Sequence, residues 1–309
     1  MKKGNLKGSL ILLTASLIWG LAFVAQNIAS EKAPSFTINA LRSFIAAAVL
    51  YIFYLLLNIK SKEPFIPKEK EKRLACFKGG IICGSALAVS ANLQQFGIAA
   101  LKSANAKAID ARSGFLTALY VILVPIISVL LRKRVNFVVW ISVFAAVAGV
   151  YLLCFEKGME KLYLGDLLLL LCAVSFSIHI LTVDKYVGTV GGIRLSVLQF
   201  AVCGILSAIG TFVFDLESIT LVGIVSVMPQ IIYLGVMSSG VAYTLQVVGQ
   251  KFAEPAVASI SMSFESVFAA LGGWLISGDA LNKNQIIGCA LVFAAIILPE
   301  LPEFVKKNA

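Results

Sequence analysis

Charge is scarce in this chain. Only 14% of its 309 residues are charged, against roughly 25% in a typical soluble domain. Polar stretches are equally rare: 59% of the residues are hydrophobic and the mean hydropathy is +0.93, so little is left to build a water-facing surface. There is one histidine, His179, and the six cysteines (Cys76, Cys83, Cys154, Cys172, Cys203 and Cys289) sit in or beside apolar runs with no CxxC spacing. That composition excludes a disulfide framework and any His/Cys metal site, and leaves the cysteines as small apolar packing residues. No HExxH, no carboxylate cluster with metal spacing and no nucleophile–base pair is present, so neither an enzyme nor a cofactor is expected.

What is present is a succession of apolar runs of about 20 residues, the length that crosses a bilayer as a helix. They fall near 8–28, 36–59, 74–98, 104–131, 135–155, 165–185, 190–214, 228–250, 255–278 and 284–301. The expected fold is therefore an all-α integral membrane protein of ten transmembrane helices. The first run continues through Trp19, Gln26 and Asn27 with no small-residue cleavage site, so it reads as a retained helix.

The net charge of +10 does not point to nucleic acid, because the basic residues are sorted by position. Of the 26 lysines and arginines, 18 fall at alternate helix ends and in the tails, including the Lys60–Arg73 connection, and five fall at the opposite ends. By the positive-inside rule this places both termini in the cytoplasm, which an even number of spans requires. The excess also suits attraction to anionic lipid.

The two halves resemble each other. Leu93-Gln94-x-x-Gly97 matches Leu245-Gln246-x-x-Gly249, Ala104-x-Ala106 matches Ala256-x-Ala258, and Ala118-Leu119 matches Ala270-Leu271, all 152 residues apart. Gly8-x-Leu10-x-Leu12-Leu13 matches Gly165-x-Leu167-x-Leu169-Leu170 at an offset of 157. Two repeats, 1–157 and 158–309, would each hold five helices. An odd number forces the copies into opposite orientations, the arrangement of alternating-access carriers with a midplane binding site.

Ionisable residues inside apolar spans cost on the order of 2.5–3.5 kcal/mol each, so they mark cavities or buried partners. Lys107 and Asp110 can pair at i, i+3, whereas Arg112 points elsewhere and needs a partner from another helix or a ligand. Arg42 lies about 9 Å below the outer surface, the depth of Asp110, which makes the two a candidate ion pair, either a clamp or a gate. Glu265 lies roughly 15 Å deep. It is a candidate for carrying a proton, meeting a cationic substrate or Arg112, or simply hydrogen-bonding inside the bundle. Trp19, too deep for an interfacial belt, needs a partner for its N–H or a ligand to stack on. His179, Asn92, Tyr243 and Gln246 complete the candidate substrate-binding set of Trp19, Asn92, Arg112, His179, Tyr243, Gln246 and Glu265. For Asn92 and His179 the plainer reading is a hydrogen bond tying helices together. Gly114 and Pro125 are candidate hinges, since Pro125 leaves a carbonyl four residues back unpaired.

Trp19-Gly20 in the first helix, the small-residue segment ALKSANAKAIDARSGFLTALYVILVP running into a basic turn, and the Gly165-Asp166 start of the second half carry a resemblance. The chain resembles the drug/metabolite transporter superfamily, EamA-like branch. The resemblance implies a ten-helix inverted-repeat carrier of the bacterial cytoplasmic membrane that exports amino acids or related small metabolites through a cavity between its halves. Two positions depart from the family pattern: Ser266 stands where many relatives have proline, and Phe176 is the counterpart of Trp19. The expected partners are a small-molecule substrate, the lipid bilayer and protons as a candidate coupling ion, and the expected state is a monomer. Cationic amines or drugs are the alternative cargo, and a non-transporting scaffold is the alternative of another class. Charged residues deep in several spans argue against the scaffold, which has little use for their insertion cost.

Overall fold

The computed structural model describes residues 6–59, 64–106, 109–133, 135–154, 162–269, 271 and 283–298. Among these the chain is helical throughout and no strand occurs. That follows from its solvent: in lipid every backbone N–H and C=O must be satisfied within the segment, and an apolar helix does so alone. The helices are α1 (Leu6–Ala29), α2 (Ser35–Leu57), α3 (Lys70–Ser103), α4 (Ile109–Ala118), α5 (Tyr120–Leu130), α6 (Phe137–Cys154), α7 (Leu164–Val190), α8 (Gly192–Gly210), α9 (Leu221–Ser226), α10 (Met228–Tyr233), α11 (Tyr243–Gly249), α12 (Pro255–Met262) and α13 (Lys283–Ile297). Two π-helical segments interrupt this order, Thr211–Asp215 after α8 and Leu234–Ala242 between α10 and α11.

Among the described residues seven helical stretches are long and apolar enough to cross a membrane: Leu6–Ala29, Ser35–Leu57, Lys70–Ser103, Arg112–Leu130, Leu164–Val190, Gly192–Ser218 and Met228–Gly249. Shorter apolar helices cover Phe137–Gly149 and Ile286–Ala295. The ninth expected span is met by α12, a turn at 263–264 and helical residues 265–269. Lys107 with its expected bond to Asp110, and the 157/158 repeat boundary, lie outside the described residues.

Local chemistry sets the ends. Pro34 stands at the N-cap of α2 and Pro255 opens α12, positions where a missing N–H costs nothing. Asp166 accepts a hydrogen bond from the Tyr163 N–H at 2.8 Å at the start of α7. The break between α7 and α8 is a single residue, Gly191, at φ +89°, where a side chain would strain the turn. The span expected over 104–131 is in two pieces. Its helix is interrupted at Leu119, six residues before Pro125, rather than at the proline itself.

Packing follows a recurring theme. Gly97 lies against Leu169 and the Gly165 carbonyl, so that an added Cβ would stand 2.7 and 3.1 Å from them. Gly249 lies against Leu12 and the Gly8 carbonyl in the same manner, at 2.7 and 3.3 Å. Small residues let these backbones approach closely, which is how helices associate when lipid is as apolar as their side chains. Elsewhere α3 runs along α7 and α8, α2 along α8, α6 along α13, and α1 against α11 and α12. Large apolar side chains such as Phe137, Phe144, Phe212, Phe214 and Val222 are exposed on the outside, where the bilayer is the solvent. The interior carries the polar residues.

Candidate functional site

Helix α1 presents Trp19, Ala22, Phe23 and Gln26 at i, i+3, i+4 and i+7, one face of a helix. That face looks into a partly open cavity. The other walls are Arg42 of α2, Gln94 of α3, Thr117 of α4, Tyr120 of α5, Phe176 and Ile180 of α7, Ser238 of the second π segment, Tyr243 and Gln246 of α11, Met262 of α12, and Glu265. Five aromatic rings and a few converging polar groups make up the usual composition of a small-molecule site.

Arg42 is buried, with 5% of its surface exposed. Its Nε donates to Ser239 Oγ at 2.9 Å, its Nη2 to Ser238 Oγ at 3.1 Å and its Nη1 to Gln26 Oε1 at 3.3 Å. All three acceptors are neutral. The serines come from the π segment Leu234–Ala242, whose Gly235 admits the backbone of α2 closely enough that a Cβ would stand 3.2 Å from the Arg42 carbonyl. Gln26 Nε2 donates in turn to Gln94 Oε1 at 3.1 Å, and Gln94 Nε2 to Thr117 Oγ1 at 3.4 Å. A chain of amides thus holds the guanidinium without neutralising it. A buried charge in this setting costs several kcal/mol unless an opposite charge joins it, so an anionic ligand would find the desolvation already done.

Glu265 is the acidic residue on the same cavity, 4% exposed, and its Oε1 accepts from the Tyr120 hydroxyl at 3.0 Å. Trp19 Nε1 donates to the Ser238 carbonyl at 3.3 Å, and the indole meets the Tyr243 ring edge-on at 4.8 Å. The indole's polar end is therefore satisfied and its ring remains as a wall.

Of the residues singled out from sequence, Trp19, Tyr243, Gln246 and Glu265 come together here, and Arg42 joins them in a role not foreseen for it. The expected Arg42–Asp110 pair does not form: Asp110 accepts from Asn27 Nδ2 at 2.9 Å instead, because equal depth on two helices does not bring their faces together. Arg112 is also elsewhere. It makes a bidentate pair with Asp166, Nε to Oδ1 at 2.5 Å and Nη2 to Oδ2 at 2.6 Å, and lies over the Tyr163 ring at 5.0 Å. Asn92 ties three helices, donating to the Ala88 carbonyl and Ser207 Oγ and accepting from Asn39. His179 Nε2 is 3.0 Å from Gln199 Oε1, and its ring stands behind Tyr243 at 6.1 Å. Gly114 is buried, an added Cβ would stand in ordinary contact 3.6 Å from the Phe23 ring, and its carbonyl accepts from Ser266 Oγ at 3.3 Å. Pro125 is buried within α5. Gln26, Gln94, Phe23 and Tyr120 were missed as site residues. The i, i+3, i+4, i+7 run from Trp19 to Gln26, mixing rings and an amide on one face, was the signal for the first helix.

Among the described residues no group of three metal-binding side chains occurs, and Cys76, Cys83, Cys172, Cys203 and Cys289 are free thiols. The sequence profile of the EamA-like transporter family matches residues 6–155 and again residues 163–299. The chain belongs to the EamA-like transporter family. An uncharacterized transporter of Archaeoglobus fulgidus is 29% identical over 302 residues, covering 96% of this chain and 87% of that protein. A solved crystal structure shares the fold, with a TM-score of 0.74 at 20% identity, covering 95% of this chain and 96% of the other. This EamA-like protein is thus a multi-pass membrane transporter.

Proposed function

We propose that the protein is a secondary transporter that carries a small amphipathic metabolite, an amino acid by first choice, through the cavity around Arg42 and Glu265. One observation carries the reading: a buried guanidinium held by neutral groups shares a cavity with a buried carboxyl group. Arg42 receives the carboxylate, Glu265 meets the ammonium or a coupling proton, and the rings of Trp19, Phe23, Phe176 and Tyr243 bound the rest. Cationic amines are the weaker cargo, because Arg42 faces the same space and repels them.

The mechanism we infer is alternating access between two inverted five-helix repeats of a ten-helix bundle. Two observations support it. The family profile matches twice in succession, and the Gly97–Leu169–Gly165 contact is repeated by Gly249–Leu12–Gly8 with every residue replaced by its repeat counterpart. Charge sorting supports termini in the cytoplasm of a bacterial inner membrane, and the family resemblance supports export. The break at Leu119 and the π segment beside Arg42 are where a helix bends with least loss of hydrogen bonds.

The test is counterflow in proteoliposomes with labelled amino acids, organic acids and amines, using the parent and Arg42→Met. Amino-acid exchange by the parent and its loss in the variant is the expected result. Exchange of amines that survives Arg42→Met would replace this reading with the cationic one.

A further inference from the structure

The two glutamines related by the repeat, Gln94 and Gln246, have opposite surroundings. Gln94 accepts from Gln26 and donates to Thr117, closing the network that holds Arg42. Gln246 lines the same cavity, is 2% exposed, and its Oε1 has no hydrogen-bond partner. Neither end of its amide, nor the hydroxyl of Tyr243 one helical turn before it, is bonded to any described residue. A buried amide left unmade forfeits about 1–3 kcal/mol, a cost that a bound polar group removes.

The polar groups of the cavity are therefore of two kinds. Arg42, Gln26, Gln94 and Thr117 are linked to one another or to serines, and Tyr120 donates to Glu265. The α11 edge of the second half offers a hydroxyl and an amide, able both to donate and to accept, to whatever lies in the cavity. Resting on the amino-acid reading above, we infer that Gln246, with Tyr243, is the selectivity-determining face: it reads a hydrogen-bonding group on the cargo's side chain, while Arg42 and Glu265 supply the anchor common to all cargo. The protein then favours small polar amino acids over apolar ones of similar size.

Counterflow of labelled serine, threonine, glutamine, leucine and phenylalanine through the parent, Gln246→Leu, Tyr243→Phe and Gln94→Leu tests this. Gln246→Leu lowers polar relative to apolar uptake by about three- to ten-fold, the worth of one neutral hydrogen bond, and Tyr243→Phe shifts the ratio in the same direction. Gln94→Leu lowers all five in parallel, because it loosens Gln26 and with it Arg42. Should Gln246→Leu fail to fold, the closer isostere Gln246→Met carries the same expectation. Parallel loss of all five cargoes in the Gln246 variant, or an unchanged ratio, would overturn the inference and leave the transport reading standing. A parent that exchanges none of the five overturns both.

Discussion

Two arginines lie inside this transporter, and their surroundings differ in one respect. Arg112 faces Asp166 in a bidentate ion pair with a tyrosine ring beneath it. Arg42 faces two serines and a glutamine. The first charge is neutralised by the protein, so it contributes to holding α4 against α7 and has nothing to offer a ligand. The second is desolvated and held by neutral groups alone, which is why we propose it for the cargo's carboxylate. What distinguishes the two is the ion partner and not burial.

The largest expected effect comes from removing the open charge. Arg42→Met should weaken cargo binding by about 30- to 4,000-fold, the range for truncating one member of a buried, hydrogen-bonded charge pair, with thermal stability close to the parent's. Titration calorimetry and a melting curve on one preparation check both halves; a collapse of stability with binding intact would reverse the assignment of the two arginines. Arg112→Met should do the opposite. It leaves Asp166, 2% exposed, without its cation, and should destabilise the fold by about 3–5 kcal/mol. Arg112→Met with Asp166→Leu should recover most of that loss, and a double variant no more stable than the single would mean the pair is not what holds this end.

A smaller effect compares the halves rather than the arginines. Gly97→Val and Gly249→Val each drive a side chain into leucine and a facing carbonyl, and overpacking of this kind costs about 1–3 kcal/mol. Equal losses in the two melting curves would support the paired geometry, while a loss at one site alone would break it. The smallest effect lies at the surface, where Lys102 donates to Glu31 at 2.6 Å. That hydrogen bond and charge lower the Glu31 pKa from its ordinary value of 4.5. A lowered folded-state pKa means the pair's stabilisation is present at neutral pH and disappears as pH falls through the carboxylate range. Melting curves of the parent and Glu31→Gln should converge there, and also in high salt.

How much of this was legible can be judged residue by residue. Among the described residues seven of the ten expected spans appear as helices long and apolar enough to cross a membrane, and the helix over 109–130 is in two pieces, its interruption at Leu119 preceding the proline that announced it. Trp19, Tyr243, Gln246 and Glu265 were legible because a polar or aromatic group deep in an apolar run is costly wherever it points. Asn92 and His179 carried the same signal, yet they serve to join helices. Gln26 and Gln94 were not read as site residues, because an amide near a span's end is as common at an interface as in a cavity.

The sequence by itself determined the membrane-spanning helical class and the transporter family. Hydropathy adds up along a segment regardless of what the segment touches, and a family profile is a property of the linear chain. Which arginine meets an aspartate and which meets only neutral groups was decided only by the tertiary structure. Asp166 is 54 residues from Arg112, and Ser238 is 196 from Arg42. Contacts at that separation depend on the rotation and depth at which helices pack, and a change of one residue in either turns a side chain by about 100°.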